Sequence, residues 1–237
     1  MKINENCIAC GNCLPYCPMG AISLGDERAV VDEDECVECN ICRRAGVCPT
    51  DSFEPQVEGL RAVRNTFSDP LVPHKNTSVP GRGTEEMKTN EVTGRFRRGH
   101  AGVAIELGRP GTGARFRDVE KVAMACAEVG VTFETHNPVT FLMKDLETGK
   151  FQDEILNEKV LSAIVEFDVP NEKLAAVLEK IREVAGKIDT VFSLDLACRV
   201  EEDNSAPAVE IARAGGFNPT INGKTNIGLG RPLAKEA

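Results

Sequence analysis

The sequence lacks the features of a membrane or secreted protein. No stretch approaches 18 apolar residues, and the first ten residues, MKINENCIAC, are acidic and polar where a signal peptide needs an apolar core. We therefore expect a cytoplasmic protein without a membrane span, in oxygen-poor cells. Because a reducing cytosol keeps thiols reduced, closely spaced cysteines there indicate metal or redox chemistry before disulfides.

Excess positive charge is also absent. The net charge is −9, and residues 1–55 contain ten Asp or Glu against Lys2, Arg28, Arg43 and Arg44. Nucleic-acid binding needs basic surface to replace the counterions along the phosphates. We therefore expect no nucleic-acid partner.

The side chains of a self-sufficient catalyst are missing too. His74, His100 and His136 are scattered without partners at ligand spacing, and no Ser-His-Asp or paired-carboxylate frame is present. No flavin or nicotinamide signature would combine single electrons into a hydride. These absences disfavour an enzyme acting alone.

Cysteine, by contrast, is concentrated in one place, since eight of the ten cysteines precede residue 50. They form an internal duplication of two motifs, C-x2-C-x2-C-x3-C-P and C-x2-C-x2-C-x5-C-P. The first motif is Cys7, Cys10, Cys13 and Cys17, and the second is Cys36, Cys39, Cys42 and Cys48. Three cysteines at this spacing suit one corner of an iron-sulfur cubane, whereas a pair of zinc sites or disulfides explains the trailing Cys-Pro poorly.

This cysteine frame resembles the two-cluster bacterial ferredoxins, over residues 1–55. The resemblance implies two [4Fe-4S] clusters with crossing ligands. One cluster would be held by Cys7, Cys10, Cys13 and Cys48, and the other by Cys36, Cys39, Cys42 and Cys17. The sequence departs from the simplest members in the x5 gap at residues 43–47, which we expect either to tune a cluster, to face a partner or to form a plain surface loop.

The periodicity of the remaining chain predicts an α+β architecture. We predict a ferredoxin domain over residues 1–56, an irregular Arg- and Gly-rich connector over 57–100, and a βαββαβ sandwich over 101–200. Residues 201–237 are predicted to form a short helix and a Gly- and Asn-rich tail. The sandwich resembles the ligand-binding ACT-type domains in its order of elements.

Individual elements can be placed within this sandwich. The pattern predicts a strand over 101–108, a helix from Arg115 to Gly130, and a hairpin turn at Thr148-Gly149. Residues 161–169 alternate as a half-buried strand, with Ser162, Glu166 and Asp168 on the polar side. A helical stripe and a further strand follow, and Cys126 and Cys198 lie on apolar faces.

Arginines gather around the start of this sandwich, seven of the sixteen lying between residues 82 and 117. Arg binds carboxylate and phosphate through a planar fork. We therefore predict anion or partner binding at Arg82, Arg95, Arg97, Arg98, Arg109 and Arg115. The glycine-rich turn 108–113 is a second candidate for an anion, although internal salt bridges or contacts to the acidic ferredoxin half would explain the same residues.

Three functions are compatible with these features. The first is an electron-transfer subunit or dedicated partner of a redox enzyme. The second is an iron-sulfur reductase subunit that binds a small anionic substrate at the Arg-rich segment. The third is a redox sensor in which an ACT-type domain responds to a ligand, and each could involve an oligomer.

Overall fold

The computed structural model describes residues 1–78, 97–109 and 111–220 of the chain. The predicted anion-binding residues Arg82 and Arg95, and the tail from residue 221 onward, lie outside the described residues.

Two short antiparallel strand pairs frame residues 1–56, which we call the cysteine-rich half although it is the shorter of the two parts of the chain. Strand β1 (Lys2–Ile3) pairs with β4 (Phe53–Glu54), and β2 (Ile22–Leu24) pairs with β3 (Ala29–Val31). A 3-10 turn at Leu14–Tyr16 follows Cys13, the third cysteine of the first motif. Helix α1 (Ile41–Arg44) contains Cys42, the third cysteine of the second motif. Pairing of β1 with β4 brings the two ends of this half together.

The sequence duplication is repeated in the backbone. Three pairs of repeat-equivalent residues have positive φ: Ala9 and Glu38 at 52° and 56°, Gly11 and Asn40 at 74° and 58°, and Gly20 and Asp51 at 63° and 45°. Left-handed backbone is costly for residues other than glycine. Its recurrence at Ala9, Glu38 and Asp51 indicates that both motifs require the same chain path around the cysteines.

The remainder of the chain, from residue 57 onward, is called the second half and contains a four-stranded antiparallel sheet. Its strands are β5 (His100–Leu107), β7 (Thr132–Phe133), β11 (Ala163–Pro170) and β12 (Phe192–Cys198). Their order in the sheet is β12, β5, β11, β7. Val103 on β5 lies opposite Phe167 on one side and Leu196 on the other. The three strands predicted separately from the sequence therefore lie side by side in one sheet with a shared apolar face.

Helices cover that apolar face. They are α3 (Phe116–Ala127), α4 (Asn171–Ala185) and α5 (Pro207–Ala214). Fully buried Val119, Val122 and Leu174 pack with Val103 and Ile105 of the sheet. The helix predicted from Arg115 to Gly130 is confirmed with narrower bounds, and Cys126 lies in this core as expected.

Smaller elements connect the sheet strands. They are β6 (Ala114–Arg115), which pairs with β10 (Lys159–Val160), and the hairpin of β8 (Met143–Asp145) and β9 (Lys150–Phe151). Short 3-10 turns lie at Thr140–Leu142 and Asp153–Ile155. The predicted turn at Thr148-Gly149 is confirmed between β8 and β9.

Strand β11 is more deeply buried than its alternation predicted. Ser162 and Glu166, assigned to the polar side, are only 1% and 3% exposed. The side-chain amide of Asn137 donates to the carbonyl of Ile164 at 3.1 Å and to Glu166 Oε2 at 3.0 Å. A polar loop residue therefore satisfies Glu166 inside the fold. The predicted strand is confirmed and Asp168 is partly exposed, but the expected exposure of Ser162 and Glu166 was wrong.

The connector predicted to be irregular over 57–100 contains helix α2 (Leu60–Ser68). Its buried stripe is mostly polar, with Arg64, Asn65 and Ser68 at helical spacing beside Phe67. A search for apolar periodicity misses such a helix, because the partners of Arg64, Asn65 and Ser68 are backbone groups and a carboxylate rather than apolar side chains. Phe67 packs edge-on against Phe116 of α3, with ring centroids 5.3 Å apart.

Within the described ranges, no helix is long and apolar enough to cross a membrane.

Candidate metal centre

The first cavity of the cysteine-rich half is lined by thiols from both motifs. Cys7, Cys10 and Cys13 of the first motif meet Cys48 of the second around about 340 Å³ of empty volume. Ile3, Ile8, Ala29 and Phe53 provide an apolar lining. Cys48 reaches this cavity because β4, which follows it, pairs with β1, which precedes Cys7.

The second cavity has the complementary composition. Cys36, Cys39 and Cys42 meet Cys17 around about 360 Å³ of empty volume, with Met1, Ile22 and Val37 among the apolar neighbours. Four thiols in an apolar cavity are the donors and surroundings that an iron-sulfur cluster requires. In the described part of the chain, no three His, Cys, Asp or Glu side chains converge closely enough to hold a single metal ion.

Backbone N–H groups point at several of these sulfurs. Ala21 N–H donates to Cys17 Sγ at 3.2 Å, and Ser52 N–H donates to Cys48 Sγ at 3.4 Å. The two bonds are repeat-equivalent, since each donor lies four residues after its cysteine. Ala29 N–H donates to Cys7 Sγ at 3.5 Å. Such bonds stabilise negative charge on sulfur and tune the reduction potential of a bound cluster.

The thiols differ in how readily they ionise. Burial raises the pKa of Cys13 and of Cys39, and it raises the pKa of Cys42 to about 12. Burial also acts on Cys48, but hydrogen bonds from Ser52 and Thr50 outweigh it and leave the pKa of Cys48 below its ordinary value. Because a metal binds the thiolate, filling these cavities must release protons from the buried thiols.

A buried carboxylate lies beside the second cavity. Glu38 is 1% exposed, and its Oε1 lies 3.8 Å from Cys36 Sγ and 3.6 Å from a guanidinium nitrogen of Arg61. Glu38 also pairs with the amino group of Met1, and burial lowers the pKa of that amino group. The negative charge of Glu38 is thus paired on two sides.

Helix α2 holds the loop that carries Cys36 and Cys39. Arg64, 5% exposed, donates to the carbonyls of Glu33, Asp34 and Cys36 at 2.8 to 3.0 Å and pairs with the carboxylate of Glu158. In a separate contact, the amide of Asn65 donates to the carbonyl of Glu38 at 2.9 Å. Helix α2 therefore satisfies the backbone carbonyls of the loop beside the second cavity.

The x5 insertion contributes to the same loop. Arg43 and Arg44 are both exposed, and Arg44 donates to the carbonyl of Cys39 at 2.7 Å and to Asp69 Oδ2 at 2.6 Å. Asn40 also donates to Asp69 Oδ2, at 2.9 Å. Burial would raise the pKa of Asp69, but hydrogen bonds from Leu71, Asn40 and Arg44 outweigh it and hold that pKa below its ordinary value.

We expect the substitution Asp69→Asn to lower the free energy of unfolding by roughly 2 kcal/mol, because it removes the charge that Arg44 faces in a buried site. A carboxyl with a depressed pKa stabilises the fold above its unfolded-state pKa of about 3.9 and loses that effect as the pH falls through its folded-state pKa. The difference from wild type should therefore be constant between about pH 6 and pH 8.

Anaerobic denaturant titration at several pH values measures this difference. The exposed Asp189, changed to Asn, is the matched control and should cost at most about 0.5 kcal/mol. A difference that changes by more than the control across this pH range would contradict the depressed pKa.

The described arginines of the predicted anion site do not converge. Arg98 pairs with Glu201, Arg109 with Glu106 at 2.7 Å, and Arg115 with Asp34 at 2.7 Å and Glu35 at 2.9 Å. Arg97 is exposed. Arg115 therefore contacts the acidic ferredoxin half, which is one of the alternatives that the sequence left open, and anion binding by this set stays a prediction.

The glycine-rich turn 108–113 uses its backbone donors internally. The N–H groups of Thr112 and Gly113 both donate to the carbonyl of Gly108, at 3.1 and 3.2 Å. Gly108 and Gly113 have φ of 84° and 70°, and a Cβ at Gly108 would lie 2.7 Å from the carbonyl oxygen of Leu161. The turn is shaped by close packing on β10 and its continuation.

Sequence reasoning missed the residues that join the two halves, namely Arg61, Arg64, Asn65 and Leu161. Arg61, Arg64, Asn65 and Ser68 follow the i, i+3, i+4, i+7 spacing of one helix face, and this polar periodicity is the signal that could have identified them. Leu161 was assigned to the strand core, but its side chain packs with Val37 and Cys39.

Comparison with known proteins agrees with this geometry. Residues 6–52 match the family described as 4Fe-4S dicluster domain. Ferredoxin Fdx2 of Sorangium cellulosum is 31% identical over 102 residues, which is 40% of this chain and 96% of that protein. Ferredoxin-2 of Chlorobaculum tepidum is 41% identical over 56 residues, covering 21% of this chain and 87% of the relative.

A protein of a different kind is also similar to part of this chain. The DNA-directed RNA polymerase subunit Rpo3 of Methanosarcina mazei is 44% identical over 89 residues, which is 37% of this chain and 34% of that subunit. The likeness is thus to a part of the subunit.

The chain belongs to the 4Fe-4S ferredoxin family, and the dicluster domain occupies residues 6–52. As the dicluster family and the two four-thiol cavities require, it binds two [4Fe-4S] clusters and transfers electrons. Both clusters were predicted from the cysteine spacing, and this prediction is confirmed.

Proposed function

We propose that the chain transfers electrons at low potential as a subunit or dedicated partner of a redox enzyme, with crossing cluster ligands. Cys7, Cys10, Cys13 and Cys48 would hold the first cluster, and Cys36, Cys39, Cys42 and Cys17 the second. The observation that carries this proposal is the composition of the two cavities, each of which combines three thiols of one motif with the last thiol of the other.

The chain's own residues would set the properties of these centres. A bound [4Fe-4S] cluster supplies one-electron oxidation and reduction. The N–H groups of Ala21, Ala29 and Ser52 stabilise charge on the sulfurs, whereas the apolar linings and the acidic charge of residues 32–35 disfavour added electrons. Acidic surroundings and limited solvent support a low potential.

The second half supports a role as a subunit rather than as a free carrier. It contacts one cluster loop through Arg61, Arg64, Asn65 and Leu161, so it is built around the electron-transfer half. Its strand order β12, β5, β11, β7, with helices after β5 and β11, supports an ACT-like sandwich. We propose an oxygen-poor setting, because oxygen has access to a cluster held by the exposed Cys10. We propose a cytoplasmic one, because a reducing compartment keeps closely spaced thiols reduced.

The alternative of an anionic substrate at the arginines is less well supported. Arg98, Arg109 and Arg115 each pair with a carboxylate of the chain, and the turn 108–113 uses N–H donors within itself. A ligand-responsive role for the ACT-like half stays a hypothesis, since fold alone does not fix function.

Anaerobic purification of the full chain from its native host, followed by reductive titration, tests the proposal. We expect a stoichiometric redox enzyme to co-purify, and we expect dithionite but not ascorbate to reduce the chain by about two electrons, one for each cluster. A solitary chain that retains its iron, or one that ascorbate reduces, would contradict the proposal.

A further inference from the structure

Two loops that are equivalent in the internal repeat differ sharply in exposure. The first loop, residues 8–10, has Ile8 62% exposed and Cys10 exposed. The second loop, residues 37–39, has Val37 2% and Cys39 8% exposed. Because the two loops follow the same backbone path, the difference arises from what covers the second loop.

The cover of the second loop is an apolar side chain surrounded by cations. Leu161 packs on Val37 and Cys39 together with Met19 and Ile41. Around this contact, Arg115 pairs with Asp34 and Glu35, and Lys159 pairs with Glu35. The second half of the chain thus covers the second loop with Leu161, and its basic residues Arg115 and Lys159 pair with the acidic neighbours of that loop.

The first loop has the same kind of surroundings without a cover from the described residues. Leu24, 51% exposed, lies beside it, since a Cβ at Gly11 would be 3.5 Å from Leu24 Cδ1. Exposed Glu5 precedes the first motif, and exposed Asp26, Glu27 and Arg28 follow Leu24, so three carboxylates face one guanidinium and the surroundings are acidic on balance. Ile8, Cys10 and Leu24, which we call the first-loop patch, form an apolar surface with an acidic rim next to the first cavity.

We propose that the first-loop patch is the docking surface for a separate one-electron protein that presents an apolar side chain within a rim of Lys or Arg. This inference rests on the proposed function, because it identifies where that function meets its partner. One electron would pass between the partner and the centre beside Cys10, so that one side is oxidised and the other reduced by one electron, without transfer of a proton or group.

Charge determines the choice of occupant. The chain has a net charge of −9, so a second copy would bring like charges to the patch. A basic partner is attracted to Glu5, Asp26 and Glu27, as the basic residues of the second half are to Asp34 and Glu35. Through this patch a partner reaches Cys10 without displacing the contact of Leu161.

Calorimetric titration of the oxidised full chain with cytochrome c, as a basic one-electron probe, tests the patch. We expect Leu24→Ser to weaken binding by about tenfold, because this exposed apolar contact of the first-loop patch is lost while the lining of the first cavity is unchanged. Leu146→Ser is the matched control, since Leu146 is 47% exposed in the β8–β9 turn, and its binding should change by less than about twofold. The rate of electron transfer from the reduced chain to cytochrome c should follow the same order.

Equal binding by the two variants would overturn the proposal, as would a wild-type dimer that Leu24→Ser dissociates, because the occupant would then be a second copy. Small viologen reductants distinguish this failure from a failure of the proposed function. They should reduce wild type and Leu24→Ser at equal rates if only docking is affected, whereas a wild-type chain that they cannot reduce would contradict electron transfer itself.

Discussion

We expect a chain in which Cys10 and Cys48 are both replaced by Ala to keep one cluster, and a chain with Cys10 and Cys17 replaced to lose both. The expectation follows from the proposed crossing of the ligands, since Cys10 and Cys48 line the first cavity together, but Cys17 lines the second. Anaerobic iron analysis should give about four irons per chain for the first pair and close to none for the second.

The two double variants are matched controls for each other, because each removes two thiols from the same half. Electron paramagnetic resonance of the reduced chains provides a second readout, with one signal expected for the Cys10 and Cys48 variant. The reverse result, with one cluster retained when Cys10 and Cys17 are replaced, would mean that each motif holds its own cluster.

Replacement of Arg64 by Met should be the most damaging change outside the cysteines. Arg64 is 5% exposed and pairs with the carboxylate of Glu158. It also donates hydrogen bonds to the backbone carbonyls of residues 33, 34 and 36. Methionine preserves much of the volume but leaves these acceptors unpaired in a buried site. We expect a loss of about 3–5 kcal/mol in the free energy of unfolding.

Anaerobic guanidinium titration measures that loss, with Arg117→Met as the control, because Arg117 is exposed and should cost at most about 0.5 kcal/mol. Visible absorbance during the titration reports on the clusters. We also expect one half of the absorbance to bleach first, since of the two cluster loops Arg64 contacts the one that carries Cys36. Simultaneous bleaching at the wild-type midpoint would contradict this role of Arg64.

Much of the local structure was predictable because its determinants are local. The spacing of the eight cysteines predicted both clusters. The apolar run over 101–108 predicted a strand, and the stripe of Val119, Ala123 and Cys126 predicted a helix, and the fold contains both. In each case the side chains that carry the pattern are the ones that the fold buries.

Contacts between the halves were not predictable, because they depend on polar groups whose partners are distant in sequence. Arg64 and Glu158 are 94 residues apart, and Ser68 accepts from the N–H of Leu161 across 93 residues. Helix α2 was missed because its buried face is polar, and the burial of Glu166 was missed because Asn137 satisfies it from a loop. The asymmetry between the first and second loops follows from these contacts.

Chemical analysis of the anaerobically purified full chain tests the central claim most directly. The account predicts about eight irons and eight acid-labile sulfides per chain, with visible absorbance that dithionite bleaches in one-electron steps. About two metal ions per chain, identified as zinc and without sulfide, would contradict it.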